Sequence, residues 1–277
     1  MNIAVELIAQ LERFAQVSTL PRIRALHLPP ADRAESKDAE FCALELDDGA
    51  IGLSYVLLDD TLKQLLKNDH RSITDMTALD VARWHRDADG SRRTLGFAAV
   101  NALSRCFFDR VGFCPETSSD SLGQMAPVAG DHIGMIGFFP PLVRKLVAAG
   151  IRLTVLELKA ELAGEFEGYS VSLNAEDLSS CNKVLSTSTV LLNDTLEHIL
   201  APCARAEIFA MVGPSAGCLP DALFARGVTL VGGTWINDGR AFAEALNAGQ
   251  PWSGFARKFA LKREDYPGFE ALLGRLQ

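Results

Sequence analysis

The sequence lacks an excess of positive charge: 27 lysines and arginines stand against 35 aspartates and glutamates, a formal net charge of −8. Phosphate backbones require a basic face, so nucleic acid is not an expected partner. Any uncharged apolar run of the length a bilayer span requires is also missing, so no membrane partner is expected. The opening MNIAVELIAQLERF carries Glu6 inside its apolar stretch and no basic segment before it, the pattern of neither a secretory signal nor an anchor. The six cysteines, Cys42, Cys106, Cys114, Cys181, Cys203 and Cys218, are scattered, without a Cys-x-x-Cys pair or framework spacing. That usage suits reduced thiols in a cytoplasmic protein and speaks against a classical zinc site. Histidine is scarce, and His27, His70, His85, His132 and His198 all precede Ser215.

What is present is a globular composition. Of 277 residues, 48% are hydrophobic and 22% charged, enough for one large or two ordinary domains with sizeable cores. Ile3, Leu7, Leu11 and Phe14 recur at helical spacing and predict an amphipathic first helix. Short strands follow at 22–28, 41–46 and 51–56, the last two joined by the hairpin signal Asp47-Asp48-Gly49. Helical patterns cover 60–67, 77–85 and 94–108; the last, TLGFAAVNALSRCFF, is apolar on most sides and is expected to be buried. Residues 112–131 turn rich in Ser, Gly, Pro and acids, which predicts a domain boundary. Beyond it, strands at 132–138, 153–158, 183–186, 208–212 and 228–231 alternate with helices at 141–149, from 195, at 221–226 and 240–248, with a less regular stretch up to 180. The alternation predicts an α/β fold: a mainly parallel sheet covered on both faces, which takes ligands at the carboxyl ends of its strands.

Several loops at such ends carry chemistry. Gly213-Pro214-Ser215-Ala216-Gly217 fits the Gly-x-Ser-x-Gly pattern of a hydrolase elbow, but that fold needs a histidine downstream and none exists. Turn formation explains the glycines as well, so Ser215 is better read as a loop residue facing a ligand than as a nucleophile. Gly134 and Gly137 stand where a dinucleotide fingerprint would, and Glu157 where an acid could hold a ribose diol. Phe138, Phe139, Pro140 and Pro141 fill that loop, however, so two backbone donors are missing and NAD or FAD is not expected. Ser186, Thr187, Ser188 and Thr189 could hold a polar or anionic group or satisfy their own loop. Asp194-Thr195-Leu196-Glu197 has capping-box spacing, which leaves Asn193 as the better ligand candidate. Asn101 inside the apolar helix needs partners, structural or liganding. Cys218 lies in the GPSAG loop, with no second Cys or His nearby in sequence for a soft ion.

Three stretches in order, GMIGFFPPLV at 134–143, STSTVLLNDTLEHIL at 186–200 and GPSAGCLPDALFARGVTLVGG at 213–233, resemble the bacterial and archaeal family known as putative heavy-metal chelation; RRTLGFAAVNAL at 92–103 resembles the signature of the smaller domain that commonly precedes it. The resemblance covers nearly the whole chain. It implies an enolase-N-terminal-like α+β domain over 1–115, a linker over 116–130 and a Rossmann-like domain over 131–277. It also implies a site in the inter-domain cleft, with Asn101 from the first domain and Gly137, Phe139, Ser186, Thr187, Ser188, Asn193, Gly213, Pro214, Ser215 and Gly233 from the second; the residue pattern adds Glu157. Metal handling is implied by the family name, and corrinoid or related cofactor biosynthesis has been suggested for the family. The expectation is a small-molecule-binding protein that acts on a metal chelate or its organic ligand, with a metal ion as the cofactor candidate and no assigned reaction. Two other readings stay open. One is a non-catalytic metal or metallophore carrier, in which Asp131, Asp194 and Glu197, or Cys218 and a second thiol, would converge. The other is a nucleoside-cofactor enzyme such as a methyltransferase, supported by Glu157 and opposed by the prolines of the first loop. Acidic charge with an apolar first helix permits a homodimer.

Overall fold

The computed structural model describes every residue except 1, 34–38, 121 and 123. Helix α1 (Ile3–Val17) starts where the Asn2 side chain accepts from the Ala4 amide at 2.8 Å. Strands β1 (Ile23–His27), β2 (Phe41–Leu46) and β3 (Ile51–Tyr55) form an antiparallel sheet in that order. The β2–β3 hairpin pairs Glu45 with Ile51 and Phe41 with Tyr55, and turns at Gly49, whose φ is +90°. Helices α2 (Thr61–Lys67), α3 (Ala78–Ala82) and α4 (Gly90–Arg110) follow.

Helix α4 is the hub of this half. Asp89 caps it by accepting from the Arg92 amide at 2.9 Å, and 15 of its 21 residues are buried, as a helix apolar on most sides requires. Strand β3 reaches it at Gly52, where a Cβ would lie 2.1 Å from the Ala102 nitrogen and 2.2 Å from the Ala98 oxygen. Any side chain there would push sheet and helix apart.

The remaining elements are β4 (Glu116–Thr117), β5 (His132–Ile136), α5 (Pro140–Ala148), β6 (Arg152–Leu156), β7 (Gly164–Phe166), β8 (Tyr169–Ser172), β9 (Lys183–Thr187), α6 (Leu196–Leu200), β10 (Ile208–Val212), α7 (Asp221–Phe224), β11 (Leu230–Ile236), α8 (Gly239–Asn247), β12 (Ala256–Lys262) and α9 (Phe269–Leu273). They build a sheet in the order β4-β12-β11-β10-β9-β5-β6-β8-β7. The six strands from β11 to β8 are parallel; β12 and β4 on one edge and β7 on the other run antiparallel. The α/β class and the mainly parallel sheet are therefore as expected. Because the chain leaves β5 for β6 and returns on the other side as β9, the strand order reverses between β5 and β9. That reversal opens a crevice at the carboxyl ends.

Three packing layers hold the parts together. Ile133, Met135, Val155 and Leu185 of the large sheet pack with Val143 and Leu146 of α5. Ile136, Val184, Met211 and Val231 face the other way, into a core shared with α1, α4 and α9. Phe41, Ala43, Ile51 and Leu53 pack against Phe242 and Leu246 of α8 and against Trp252. The small sheet thus lies between α4 and α8, which follows β11 of the large sheet.

Strands β7 and β8 lie in the stretch read as irregular, because GEF is wholly exposed and YSVS buries one residue of four. Strand β12 escaped the pattern search too: Arg257 and Lys258 interrupt its apolar run. Within the expected linker, Glu116 and Thr117 pair with Ala260 and Phe259, while residues 121 and 123 lie outside the described residues.

One buried group gives this half a pH dependence. His85, 2% exposed, stacks on Phe97 with ring centroids 4.7 Å apart, and neither ring nitrogen has a partner. Burial, aided by the charge of Arg93, lowers its pKa from 6.5 to about 3. Below the ordinary histidine value the unfolded chain takes up this proton and the folded chain does not. The stability present above that value is thus lost as pH falls toward about 3, at about 1.4 kcal/mol per pH unit. His85→Phe should reduce the slope of unfolding free energy between pH 6 and 4 by about one proton, measured by urea titration; an unchanged slope would contradict this assignment.

Candidate functional site at the carboxyl ends of the central strands

The crevice is built from the ends of β5, β6, β9 and β10. Strand β5 ends in Gly137, whose φ is +88° and whose amide donates to the Leu156 carbonyl at 2.9 Å. Its missing side chain leaves room for Thr187, 3.2 Å from where a Cβ would stand, with the Phe139 ring also adjacent. Pro140 and Pro141 then start α5, where absent N–H groups cost nothing. Glu157, just past β6, turns back on this loop: Oε2 accepts from the Phe138 amide at 3.1 Å and Oε1 from the Leu158 amide at 2.7 Å. The amide that would greet a pyrophosphate thus already has a carboxylate on it.

Past β9, Thr187 Oγ1 accepts from the Thr189 amide at 3.3 Å and lies 3.1 Å from its hydroxyl. Ser186 donates to the Thr187 carbonyl. Ser188, buried, lies 3.0 Å from the Ser215 hydroxyl, and Gly213 makes room for it: a Cβ there would sit 2.4 Å from Ser188 Oγ at a φ of +152°. Ser215 is 1% exposed, and its carbonyl accepts from Asn101 Nδ2 at 2.9 Å. That same amide donates to the Leu53 carbonyl at 2.7 Å, while Asn101 Oδ1 is buried without a partner. Gly233 completes the packing, since a Cβ would come within 2.4 Å of the Ala216 carbonyl.

The structure therefore links Asn101, Ser215, Ser188 and Gly213 in one chain of contacts, and Gly137, Phe139, Thr187 and Ser186 in a second that adjoins it along β9. Glu157 reaches the second through Phe138. Pro214 and Asn101 also line a narrow cavity with Gly217 and Thr234. Asn193 stands apart. Its Oδ1 accepts from the Thr195 amide and hydroxyl at 3.3 and 2.6 Å, a turn before α6, whose N-cap is Thr195 without a side-chain cap bond. Asp194, at a φ of +55°, instead pairs with Arg93 at 2.7 Å.

Ser215 is no hydrolase nucleophile. Its hydroxyl meets another serine, whereas His27 contacts Glu45 and Asn247, His70 the Leu65 carbonyl, and His132 Thr154 and Ser180; His85 is stacked in the first half and His198 is exposed on α6. Sequence reading missed Tyr55, at the end of β3. Its phenol is pushed above its usual pKa by burial and then by the nearby Glu40 and Glu157 carboxylates. The end of β3, from the first half of the chain, thus lies within electrostatic reach of Glu157, and no local pattern around Tyr55 announces it.

Two family models, both described as putative heavy-metal chelation, match residues 39–104 and 120–264. The chain belongs to that family. An uncharacterized protein of Methanocaldococcus jannaschii is 25% identical over 272 aligned residues, spanning 87% of this chain and 96% of that protein. Two crystal structures of family members of unknown function are also similar. The Pyrococcus horikoshii protein has 18% identity, a TM-score of 0.66 and coverage of 92% of this chain and 99% of its own. For the Desulfitobacterium hafniense protein the values are 18%, 0.65, 92% and 98%. At this identity the likeness establishes the fold.

The family description raises a resident metal, and the side chains do not fit one. The carboxylates that would have to converge are each held by a cation: Asp131 by Lys183 at 2.7 Å, Asp194 by Arg93, and Glu197 by Arg226 at 3.3 Å. Cys218 is buried, and burial pushes its thiol up to about 12. Among the described residues no group of three or more His, Cys, Asp or Glu could hold an ion. The convergence expected of a carrier is thus replaced by separate ion pairs.

The geometry of Gly213 makes a direct prediction. Gly213→Ala should destabilise the protein by about 2 kcal/mol through backbone strain and the clash with Ser188. Adding Ser188→Ala should recover part of that loss in denaturant titrations. Strict additivity of the two changes would show that the clash is absent.

Proposed function

We propose that the chain binds a small polar organic molecule, free or as its metal chelate, in the crevice between β5 and β9 near Tyr55. The observation that carries this reading is the coincidence of a strand-order reversal with the end of β3 from the other half of the chain, where the Tyr55 phenol feels the Glu157 carboxylate past β6. Reversals of this kind are where open α/β sheets take ligands, and junctions between two structural units are a favoured place for them.

The electrostatics favour a neutral or cationic ligand. Glu157 and Glu40 lie near Tyr55, and Arg93, which reaches the neighbouring 192–194 loop from α4, is already bound to Asp194 and to the Leu192 carbonyl. A phosphate would meet carboxylate where it needs amide. Hydroxyl or amine groups of a ligand would find acceptors in Glu157 and both donors and acceptors in Thr187 and Thr189. The rings of Phe138 and Phe139, both half-buried, offer an apolar wall. A metal would then arrive with the ligand's own donor atoms. The six cysteines are free thiols, five of them buried, which supports a cytoplasmic location. We assign no reaction, because no acid, base and nucleophile meet here.

The test is native mass spectrometry with elemental analysis on protein purified without chelators. The reading predicts an organic adduct, with or without metal in equal amount, whose occupancy falls at least tenfold in Thr187→Val, a change that keeps shape and removes the hydroxyl. Metal bound without organic mass, or an adduct indifferent to Thr187→Val, would overturn it.

A further inference from the structure

A second cleft, of about 570 Å³, opens on the far side of β6 and β8 from α5 and is independent of the crevice above. Its volume is that of a small-molecule site. Register shows how its floor arises. Arg152 pairs with His132, and Thr154 with Ser170 and Gly134, so these residues share one face, while Leu153, Val155 and Val171 share the opposite face with the apolar core around α5. Parallel strands covered on both faces are apolar on both; here one face is polar, and the 175–180 turn walls it instead of a helix.

The polar groups are arranged rather than scattered. His132 is 7% exposed, with Nε2 2.9 Å from Thr154 Oγ1 and Nδ1 3.2 Å from Ser180 Oγ. Burial, with the charge of Arg152, lowers its pKa and so favours the neutral ring. A neutral imidazole donates through one nitrogen and accepts through the other. The hydroxyl that accepts from the ring must therefore aim its own proton elsewhere, and neither Thr154 nor Ser180 has another partner among the described residues. The side chain of Arg152 likewise makes no hydrogen bond or ion pair with a described residue, and neither does that of Glu165 or Glu176, although all three residues line the same cleft. One guanidinium and three carboxylates, with Asp177 Oδ2 accepting from Ser172 Oγ, thus border one space, and among the described residues Arg152 pairs with none of them.

We propose that this cleft binds a zwitterion with separate amine and carboxylate groups, an amino acid or short peptide. Arg152 and the spare hydroxyl proton take the carboxylate, and Glu165 and Glu176 take the ammonium. A guanidinium fork matches a carboxylate in two parallel hydrogen bonds, and a carboxylate accepts equally well from an ammonium group. A simple anion would face three like charges and one opposite one.

The experiment is amide NMR of the full-length protein, titrated with each common L-amino acid and with diglycine at millimolar concentration. At least one should shift the Ser170, Ser179 and Ser180 amides saturably. Arg152→Gln, and separately Glu165→Gln with Glu176→Gln, should each weaken that binding about tenfold or more. Acetylating the ligand's amine should do the same. The three residues are exposed, so the variants should keep the parent spectrum elsewhere. The proposal is overturned if no zwitterion shifts those amides, if acetate or inorganic phosphate shifts them with equal affinity, or if the variants bind undiminished.

Discussion

The side-chain amide of Asn101 adds a polar clamp to the apolar core that the two halves of the chain share. One NH₂ group holds the Leu53 carbonyl of the small sheet and the Ser215 carbonyl of the GPSAG loop, from a helix 3% exposed at that point. Each bond is ordinary in strength, but losing it would strand a buried carbonyl at a cost of about 1–3 kcal/mol. Around this clamp the close approach at Gly52, the Ser188–Ser215 pair and the tight fit of Ser188 on Gly213 all become consistent: helix, sheet and loop sit together around the same residue. The crevice at the end of β9 depends on it, since the loop clamped by Asn101 also holds Ser188.

Charge organises the rest by pairing acids away from the crevice. Asp131 accepts from Lys183, Asn182 Nδ2 and the Val128 amide, so its pKa is lowered to about 2 and the segment before β5 is pinned to the start of β9. Asp194 and Glu197 are held by arginines from distant parts of the chain. Glu157 differs, since its partners are two backbone amides, and it remains half-buried beside Tyr55. A family described by chelation is thus represented here by a chain whose own donors are committed elsewhere, which directs attention to a ligand that brings its donors with it.

Much of the fold was legible. The apolar wrap of 94–108 announced a buried helix, the Asp47-Asp48-Gly49 signal a hairpin, and the alternation after 131 a parallel sheet, because each is a local pattern read by burial or turn geometry. Strands β7 and β8 were illegible, since β7 is a wholly exposed edge strand of three residues and β8 beside it buries one residue of four, so neither carries an apolar period. The site was legible in its loops and not in its contacts. Gly137, Thr187, Ser188, Gly213 and Ser215 do gather at strand ends, but that Asn193 and not Asp194 serves the turn depends on Arg93, a residue far away in sequence. Tyr55 depends on how one sheet lies over another, which no window of sequence contains.

The account stands or falls on Asn101 as the common clamp, and native-state hydrogen exchange on Asn101→Ala reads it most directly. The Ala216 and Leu219 amides, which donate to the Gly213 carbonyl and to Ser104, and the amides of β3 should lose protection together while α5 and β6 keep theirs. If the loop and β3 respond separately, or neither responds, Asn101 is not the common clamp of β3 and the GPSAG loop.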